Sequence, residues 1–306
     1  MSAHTSSASH WGIDLGGTKI EGIVLGEESQ PIARLRVATE AAQGYEHVVG
    51  RIAEVVSLLE AETKLSRPAL LGIGTPGTTD PFTGLIKNSN TVCLNGRPLI
   101  TDIEKNLGLN IIADNDANCC ALAEATLGAG RGHRVVVGLI LGTGVGSGIV
   151  VNGHLISGLH GIAGEWGHNP MTEETTPCYC GRRGCVETVI SGTGLARYYN
   201  ERAGTNCTLP QIVEAAERGD DPIAAETLLR LREKFAQAIA AYINILDPDA
   251  IIVGGGVGNI PILYSEETRR AIEAHLFNPV LRTPILRPTL GDSAGVFGAA
   301  MLTNRD

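Results

Sequence analysis

Trp11–Gly26, WGIDLGGTKIEGIVLG, reads as a strand, a Gly/Thr turn and a second strand. Val135–Gly153, VVVGLILGTGVGSGIVVNG, has the same form. Setting Gly12-Ile-Asp-Leu-Gly-Gly-Thr beside Gly138-Leu-Ile-Leu-Gly-Thr-Gly gives a weak internal repeat at wide separation. Solenoid repeats recur every 20–50 residues, so two distant copies indicate a duplicated α/β domain instead. Outward from the first copy, Pro31–Thr39 alternates as a third strand and Tyr45–Glu62 carries an apolar stripe at helical spacing. Ala69–Gly77 and Asn110–Ala113 read as strands, with a helix over Asn115–Leu127. Outward from the second, helices are expected over Gly194–Ala203, Pro210–Arg218 and Asp221–Leu246. A strand at Ala250–Val253, a helix at Tyr264–Leu276 and a last helix in AGVFGAAML complete the chain. Strands alternating with helices give an α/β class.

The chain has 306 residues, enough for two domains, and is 43% apolar and 19% charged, as ordinary globular proteins are. A net charge of −9 argues against a nucleic-acid surface built on general basicity. MSAHTSSASH is polar and lacks the apolar core of a signal peptide, so a mobile tail is expected there. No run of about 20 apolar residues is present, so no membrane-spanning helix is expected. Seven cysteines fit a reducing, cytoplasmic setting and a metal role better than a disulfide framework.

Three of those thiols crowd into Gly164–Glu187, GEWGHNPMTEETTPCYCGRRGCVE. With few apolar residues and no period of 2 or 3.6, this stretch has no core of its own. Cys178, Cys180, Cys185 and His168 are a donor set suited to tetrahedral Zn²⁺, whose binding would order the loop. Glu165 and Glu187 bracket the cluster, and positioned carboxylates accept hydrogen bonds from a polyhydroxylated ligand. Read alone, both are equally compatible with solvated surface charges.

Three Gly-rich turns follow strands: Gly16-Gly17-Thr18, Gly142–Gly148 and Gly254-Gly255-Gly256. Backbone N–H groups in such turns cradle phosphate oxygens, which points to a nucleotide. Neither the P-loop nor the dinucleotide fingerprint occurs in its proper context, and Gly142-Thr143-Gly144 leads into a strand. Asp14, at the end of the first strand, suits Mg²⁺ alongside phosphates, or else caps its turn. Lys19 is placed either to touch phosphate or to face solvent. In Asp114-Asn115-Asp116-Ala117-Asn118 one residue can cap the following helix. The surplus of polar groups makes Asp116 a candidate base, kept ionised by the helix N-terminus and accepting a hydroxyl proton during phosphoryl transfer.

Together DLGGTK, NDAN, LGTGVGSG, and GEWGH followed by CYCGRRGCVE resemble the ROK family of sugar kinases, from Trp11 to about Leu302. IKNSN, LNGRP, GEWGHNP, CYCG and CVETVISGTG are most similar to its bacterial fructokinase (manno(fructo)kinase) branch. The resemblance implies an actin-like ATPase (ribonuclease H-like) fold of duplicated α/β domains with an interdomain cleft. A small domain would span residues 1–120, completed by a C-terminal helix at 294–306. A large domain would span 121–293 and carry the zinc loop 164–187. It further implies ATP-dependent phosphorylation of D-fructose, with mannose as a further candidate, at the 6-hydroxyl. An N-acetylglucosamine or glucose kinase is the alternative. A sugar-responsive, non-catalytic regulator is the reading from a different class; such members place a helix-turn-helix domain first, and only ten residues precede Trp11.

By the same resemblance Asp116 is the catalytic base, and Gly77, Asn90, Asn115, Asp116, Glu165, His168 and Glu187 line the sugar. Asp14, Gly16, Gly17, Thr18, Lys19, Gly142, Thr143, Gly144, Gly146, Gly254, Gly255 and Gly256 fall on nucleotide positions. His168, Cys178, Cys180 and Cys185 fall on zinc ligands. Hexose, ATP, Mg²⁺ and Zn²⁺ are the expected ligands, with a homodimer as the family's common state. Cys93, Cys119, Cys120 and Cys207 receive no role.

Overall fold

The computed structural model describes residues 9–304. The expected mobile tail lies largely outside that range; its last residue, His10, already belongs to a strand. Cα packing divides the chain into two units.

The first unit comprises residues up to Gly128, Leu155–Ala163 and residues from Leu290 on. Its sheet is built from β1 (His10–Leu15), β2 (Lys19–Leu25), β3 (Pro31–Ala38), β4 (Leu70–Thr75) and, beyond a two-stranded hairpin of β5 (Thr78–Thr79) and β6 (Ile86–Lys87), β7 (Asn110–Asn115). The strand order is β3-β2-β1-β4-β7. The β3-β2-β1 meander is antiparallel, whereas β4 and β7 extend it in parallel from β1. Helix α1 (Tyr45–Thr63) covers one face: its stripe of Val48, Ile52, Val55 and Leu59 is buried, and a Cβ on Gly22 of β2 would strike Val55 and Leu59. Helices α2 (Leu99–Leu107) and α3 (Asp116–Thr126) follow.

The other face receives the C-terminal helix, Ala294–Met301. It is apolar all round, as a helix enclosed on every side must be. Gly12 of β1 and Gly72 of β4, register partners, lie against it so closely that a Cβ on either would overlap its backbone at Ala299 and Ala300. Gly298 makes the same close approach to the Cys119 carbonyl of α3. The small residues in these strands and in this helix therefore let two backbones meet.

The second unit comprises Ala129–His154 and Gly164–Thr289. Its sheet holds β8 (Val135–Leu141), β9 (Val145–Val151), β10 (His154–Leu155), β11 (Ala250–Gly254) and β12 (Ile285–Leu286), in the order β10-β9-β8-β11-β12. Here too an antiparallel hairpin, β8–β9, is extended from β8 by parallel strands, β11 and then β12. Helices α4 (Val186–Ile190), α5 (Gly192–Ala203) and α6 (Leu209–Arg218) precede the long α7 (Pro222–Leu246), with α8 (Gly255–Gly258) and α9 (Glu266–Glu273) after it. Asp221 caps α7, accepting from the N–H groups of Ile223 and Ala224 at 2.9 Å each, and Pro222 occupies the first turn where its missing donor costs nothing. Leu231, Phe235, Ile239 and Tyr242 of α7 anchor the unit's core.

The two sheets repeat one strand order, the duplicated α/β architecture of the actin-like ATPase fold. The helix expected to begin at Tyr264 starts later, because Ser265 accepts from Thr268 N–H and sets the N-cap. Residues 155–163, expected with the large domain, pack with the first unit: Gly161 lies against Thr78, and Lys87 donates to the His160 carbonyl at 3.0 Å. Among the described residues no helix is long and apolar enough to cross a membrane.

Candidate functional site

In an open α/β sheet, ligands bind beyond the carboxyl ends of the parallel strands, and the predicted residues of the first unit gather there. Asp14 is one residue from the end of β1 and pairs in register with Gly74 of β4 and Glu21 of β2. Gly74 and Gly295 crowd its carboxylate, and a Cβ on Gly295 would meet Asp14 Oδ2 at 2.8 Å. Burial, then the charges of Asp116 and Glu21, push the Asp14 carboxyl up to about 7, against the pull of Lys19 and Arg36. The Gly16–Lys19 turn that follows is closed by Gly16 N–H on the Lys19 carbonyl (2.9 Å) and by the Thr39 hydroxyl on the Gly16 carbonyl (2.6 Å). Gly17, Thr18 and Asn90 share the lining of an open recess of about 560 Å³ with Ala41, Ala42 and Thr91–Cys93. One recess thus unites a residue expected at the sugar with two expected at the nucleotide. Gly77 follows β4, its carbonyl accepting from the Thr75 hydroxyl at 2.9 Å.

At the end of β7 the structure sorts the Asp114–Asn118 cluster by task. Asn115 is the cap, its side chain accepting from Asn118 N–H at 2.7 Å. Asp114 accepts from Asn115 N–H (2.8 Å), from Asn118 Nδ2 (2.6 Å) and, on its other oxygen, from the Ser157 hydroxyl (2.8 Å). Asp116 begins α3 and accepts from Ala117 N–H at 2.8 Å. Burial raises its carboxyl above the ordinary value, outweighing the backbone N–H. The helix terminus therefore does not hold Asp116 down as expected, because desolvation dominates.

In the second unit, Gly142–Gly146 and Gly254–Gly256 lie at the ends of neighbouring strands, Gly254 pairing with Ile140 in register. A Cβ on Gly255 would overlap the Leu141 backbone. Glu187, in the first turn of α4, reaches the first of these turns: its Oε2 accepts from Val145 N–H at 3.0 Å, against Gly144 Cα. A side chain on Gly144 would displace that carboxylate. Thr143 is fixed through its carbonyl, which accepts from the Thr193 hydroxyl at 2.8 Å.

The cysteine loop is tied to the second unit's core at its start. Trp166 packs on Tyr242, with ring centroids 5.6 Å apart, and donates to the Ala238 carbonyl. The Ser147 hydroxyl bonds to the Gly164 carbonyl and contacts the Tyr242 hydroxyl at 2.7 Å. Further on, Glu174 is gripped by Arg230 (2.8 Å) and Lys234 (2.9 Å) of α7. The donor atoms of His168, between these anchors, and of Cys178, Cys180 and Cys185, beyond them, all lie within 4.8 Å of one another. His168 Nδ1 is 3.6 Å from Cys178 Sγ, and Cys180 Sγ is 3.6 Å from Cys185 Sγ. Tetrahedral zinc with S and N ligands at about 2.0–2.3 Å needs donor separations of about 3.3–3.8 Å; these two pairs match that spacing, and the four donors together form a candidate metal site. The other imidazole nitrogen, Nε2, faces away from the thiols: it is 3.1 Å from the Tyr179 hydroxyl and 3.8 Å from Glu165 Oε2.

Sequence reasoning missed Ser157, Glu21 and Tyr179. Tyr179 stood in plain view inside the CYC motif. Ser157 and Glu21 carry no local signal, since their partners come from other elements.

A model of the ROK family matches residues 10–306. The chain is 37% identical to the "N-acetyl-D-glucosamine kinase" of Photobacterium profundum, over 96% of this chain and 98% of that one. It is 33% identical to the "N-acetylgalactosamine kinase AgaK" of a Shewanella species, over 96% of each chain. Among solved structures, the ROK hexokinase of Thermus thermophilus superposes with a TM-score of 0.88 at 31% identity, over 96% of this chain and 97% of that one.

Proposed function

The chain belongs to the ROK family and is a sugar kinase, and we propose that it phosphorylates an N-acetylhexosamine, N-acetyl-D-glucosamine first, at its 6-hydroxyl with ATP. The observation that carries this choice of sugar is the 37% identity, over nearly the whole of both chains, to an N-acetyl-D-glucosamine kinase. Placement in the fructokinase branch rests on short motifs, IKNSN and LNGRP in the first unit and those of the cysteine loop, whereas the two curated relatives named above act by their names on N-acetylhexosamines. Fructose is therefore the second reading, carried by those motifs alone.

In this reading Asp116 takes the proton from the attacking hydroxyl. Its support is positional and electrostatic: it begins α3 at the carboxyl end of β7, and burial gives it the raised proton affinity that a general base needs near neutral pH. Asn115, Asn90 and Gly77 are the first unit's candidate sugar contacts. In the second unit, Glu165, Glu187 and the Nε2 edge of His168 are groups suited to a sugar's hydroxyls. In the second unit the Gly142–Gly146 and Gly254–Gly256 turns, at the ends of neighbouring strands, would hold the nucleotide through backbone N–H groups. In the first, the Gly16–Lys19 turn offers the same groups and Asp14 would hold Mg²⁺, whose charge offsets that of phosphate. Zinc on His168, Cys178, Cys180 and Cys185 supplies order to the loop and takes no part in the transfer. A homodimer, the family's common state, belongs to the same proposal.

The test is turnover of Asp116→Asn with N-acetyl-D-glucosamine and ATP–Mg²⁺. The variant loses about 10²- to 10⁴-fold in kcat, the range for a positioned acid–base group, while the sugar dissociation constant stays within about threefold. Near-normal turnover removes Asp116 from the role. Absence of a 6-phosphorylated product with wild type removes the reaction.

A further inference from the structure

Ser157 lies 43 residues beyond Asp114 in sequence, yet its hydroxyl donates to Asp114 Oδ2 at 2.8 Å. The segment that carries it, Leu155–Ala163, packs with the first unit although its flanks on both sides belong to the second. It is pinned there at several points: Lys87 on the His160 carbonyl, Gly161 against Thr78, and the His160 ring 5.8 Å from that of Phe82. Ala163 N–H closes the segment on the Ser157 carbonyl at 3.2 Å. Asp114, for its part, uses its other oxygen to hold Asn115 N–H and the buried Asn118 amide. Those two residues flank Asp116, and Asn118 N–H completes the cap on Asn115. The hydroxyl thus fixes a carboxylate that holds two residues of the α3 N-terminus, the cap Asn115 and Asn118.

We propose that Ser157 is a positioning residue for Asp116, acting through Asp114 to hold the first turn of α3 in its working orientation. This rests on the reading of Asp116 as the base. Ser157 touches neither the reacting atoms nor Asp116; it withholds from Asp114 the freedom to rotate. Without its donor, the Asp114 carboxylate turns toward solvent or toward the Asn118 amide, and the Asn115–Asp116 backbone moves with it. A displacement of about 1 Å in a positioned catalytic group costs on the order of 10²-fold in rate. A threonine keeps the hydroxyl and restores the bond; an alanine does not.

The experiment compares full-length Ser157→Ala, Ser157→Thr, Asp114→Asn and the Ser157→Ala/Asp114→Asn pair in steady-state assays with N-acetyl-D-glucosamine, ATP and Mg²⁺. Asp116→Asn is the reference. Expected are a roughly 10- to 100-fold fall in kcat for Ser157→Ala with sugar KM within about twofold, recovery to within about threefold in Ser157→Thr, and a double variant no worse than Asp114→Asn alone. Melting temperature, read alongside, separates this from a folding defect: Ser157→Ala melts like wild type. Unchanged kcat in Ser157→Ala, or losses that multiply in the double variant, overturn the proposal while an inactive Asp116→Asn leaves the base assignment standing. An active Asp116→Asn overturns both.

Discussion

Asp14, Asp114 and Asp116 sit at the carboxyl ends of β1 and β7 and at the start of α3, and their surroundings give them different properties. Asp114 is consumed by three hydrogen bonds. Asp116 meets one backbone N–H and burial. Asp14 is buried near two other carboxylates, which lifts its carboxyl from the ordinary 3.8 to about 7. A carboxyl that binds its proton more tightly when folded makes the folded state lose stability as pH rises between those values. Asp14→Asn therefore gains on wild type progressively from about pH 4 to about pH 7 and holds its gain above, by a few kcal/mol at most. Melting temperatures of the nucleotide-free proteins at pH 5 and pH 8 check this; an equal difference at both contradicts it. Asp116 could be picked out of NDAN because only one residue there could cap the helix. Glu21 could not be picked out: nothing local marks a glutamate as the buried partner of Arg34 and Arg36 on the neighbouring strand.

At the scale of elements, the cysteine loop depends on its anchors and on its donor set. Its residues have no apolar period, so its order must come from Trp166 on the core, from Glu174 on α7 and from the four clustered donors. The purified protein is expected to carry one zinc per chain by mass spectrometry. Stripping it with a chelator raises the sugar KM at least tenfold and exposes three further thiols to titration, whereas full activity in a metal-free sample contradicts the loop's dependence on metal. Burial pushes the Glu174 carboxyl up, but hydrogen bonds from Lys234 and Arg230 outweigh it and hold the group below its usual value. Such a group adds stability above about pH 4.5 that vanishes as pH falls through the depressed value. Glu174→Gln accordingly costs about 1–3 kcal/mol at pH 7 and much less at pH 3, measured by denaturant unfolding at the two pH values. The loop's donor set was legible because chemistry demands clustered thiols. Its anchoring was not, since Arg230 lies 56 residues from Glu174 and Lys234 one helical turn further on.

For the whole molecule, the repeat of Gly12–Thr18 in Gly138–Gly144 disclosed a duplication that the two strand orders share. Strands whose apolar runs exceed the reach of one face, and helices with clear stripes, made most elements readable. The short β5–β6 hairpin and the excursion of residues 155–163 were not, because pairings of two residues and packing by glycine leave almost no periodic signal. The glycines inside β1, β4 and the C-terminal helix drew no separate reading from the sequence, and they are points of backbone contact. Choice of sugar is the least legible property of all: it turns on a few hydroxyl and amide contacts, which alter no motif. It is also the most direct thing to measure. ADP formation with ATP–Mg²⁺ across N-acetyl-D-glucosamine, N-acetyl-D-galactosamine, glucose, mannose and fructose should rank N-acetyl-D-glucosamine first in kcat/KM. A higher kcat/KM for fructose, or no sugar-dependent ADP formation, would contradict the assignment.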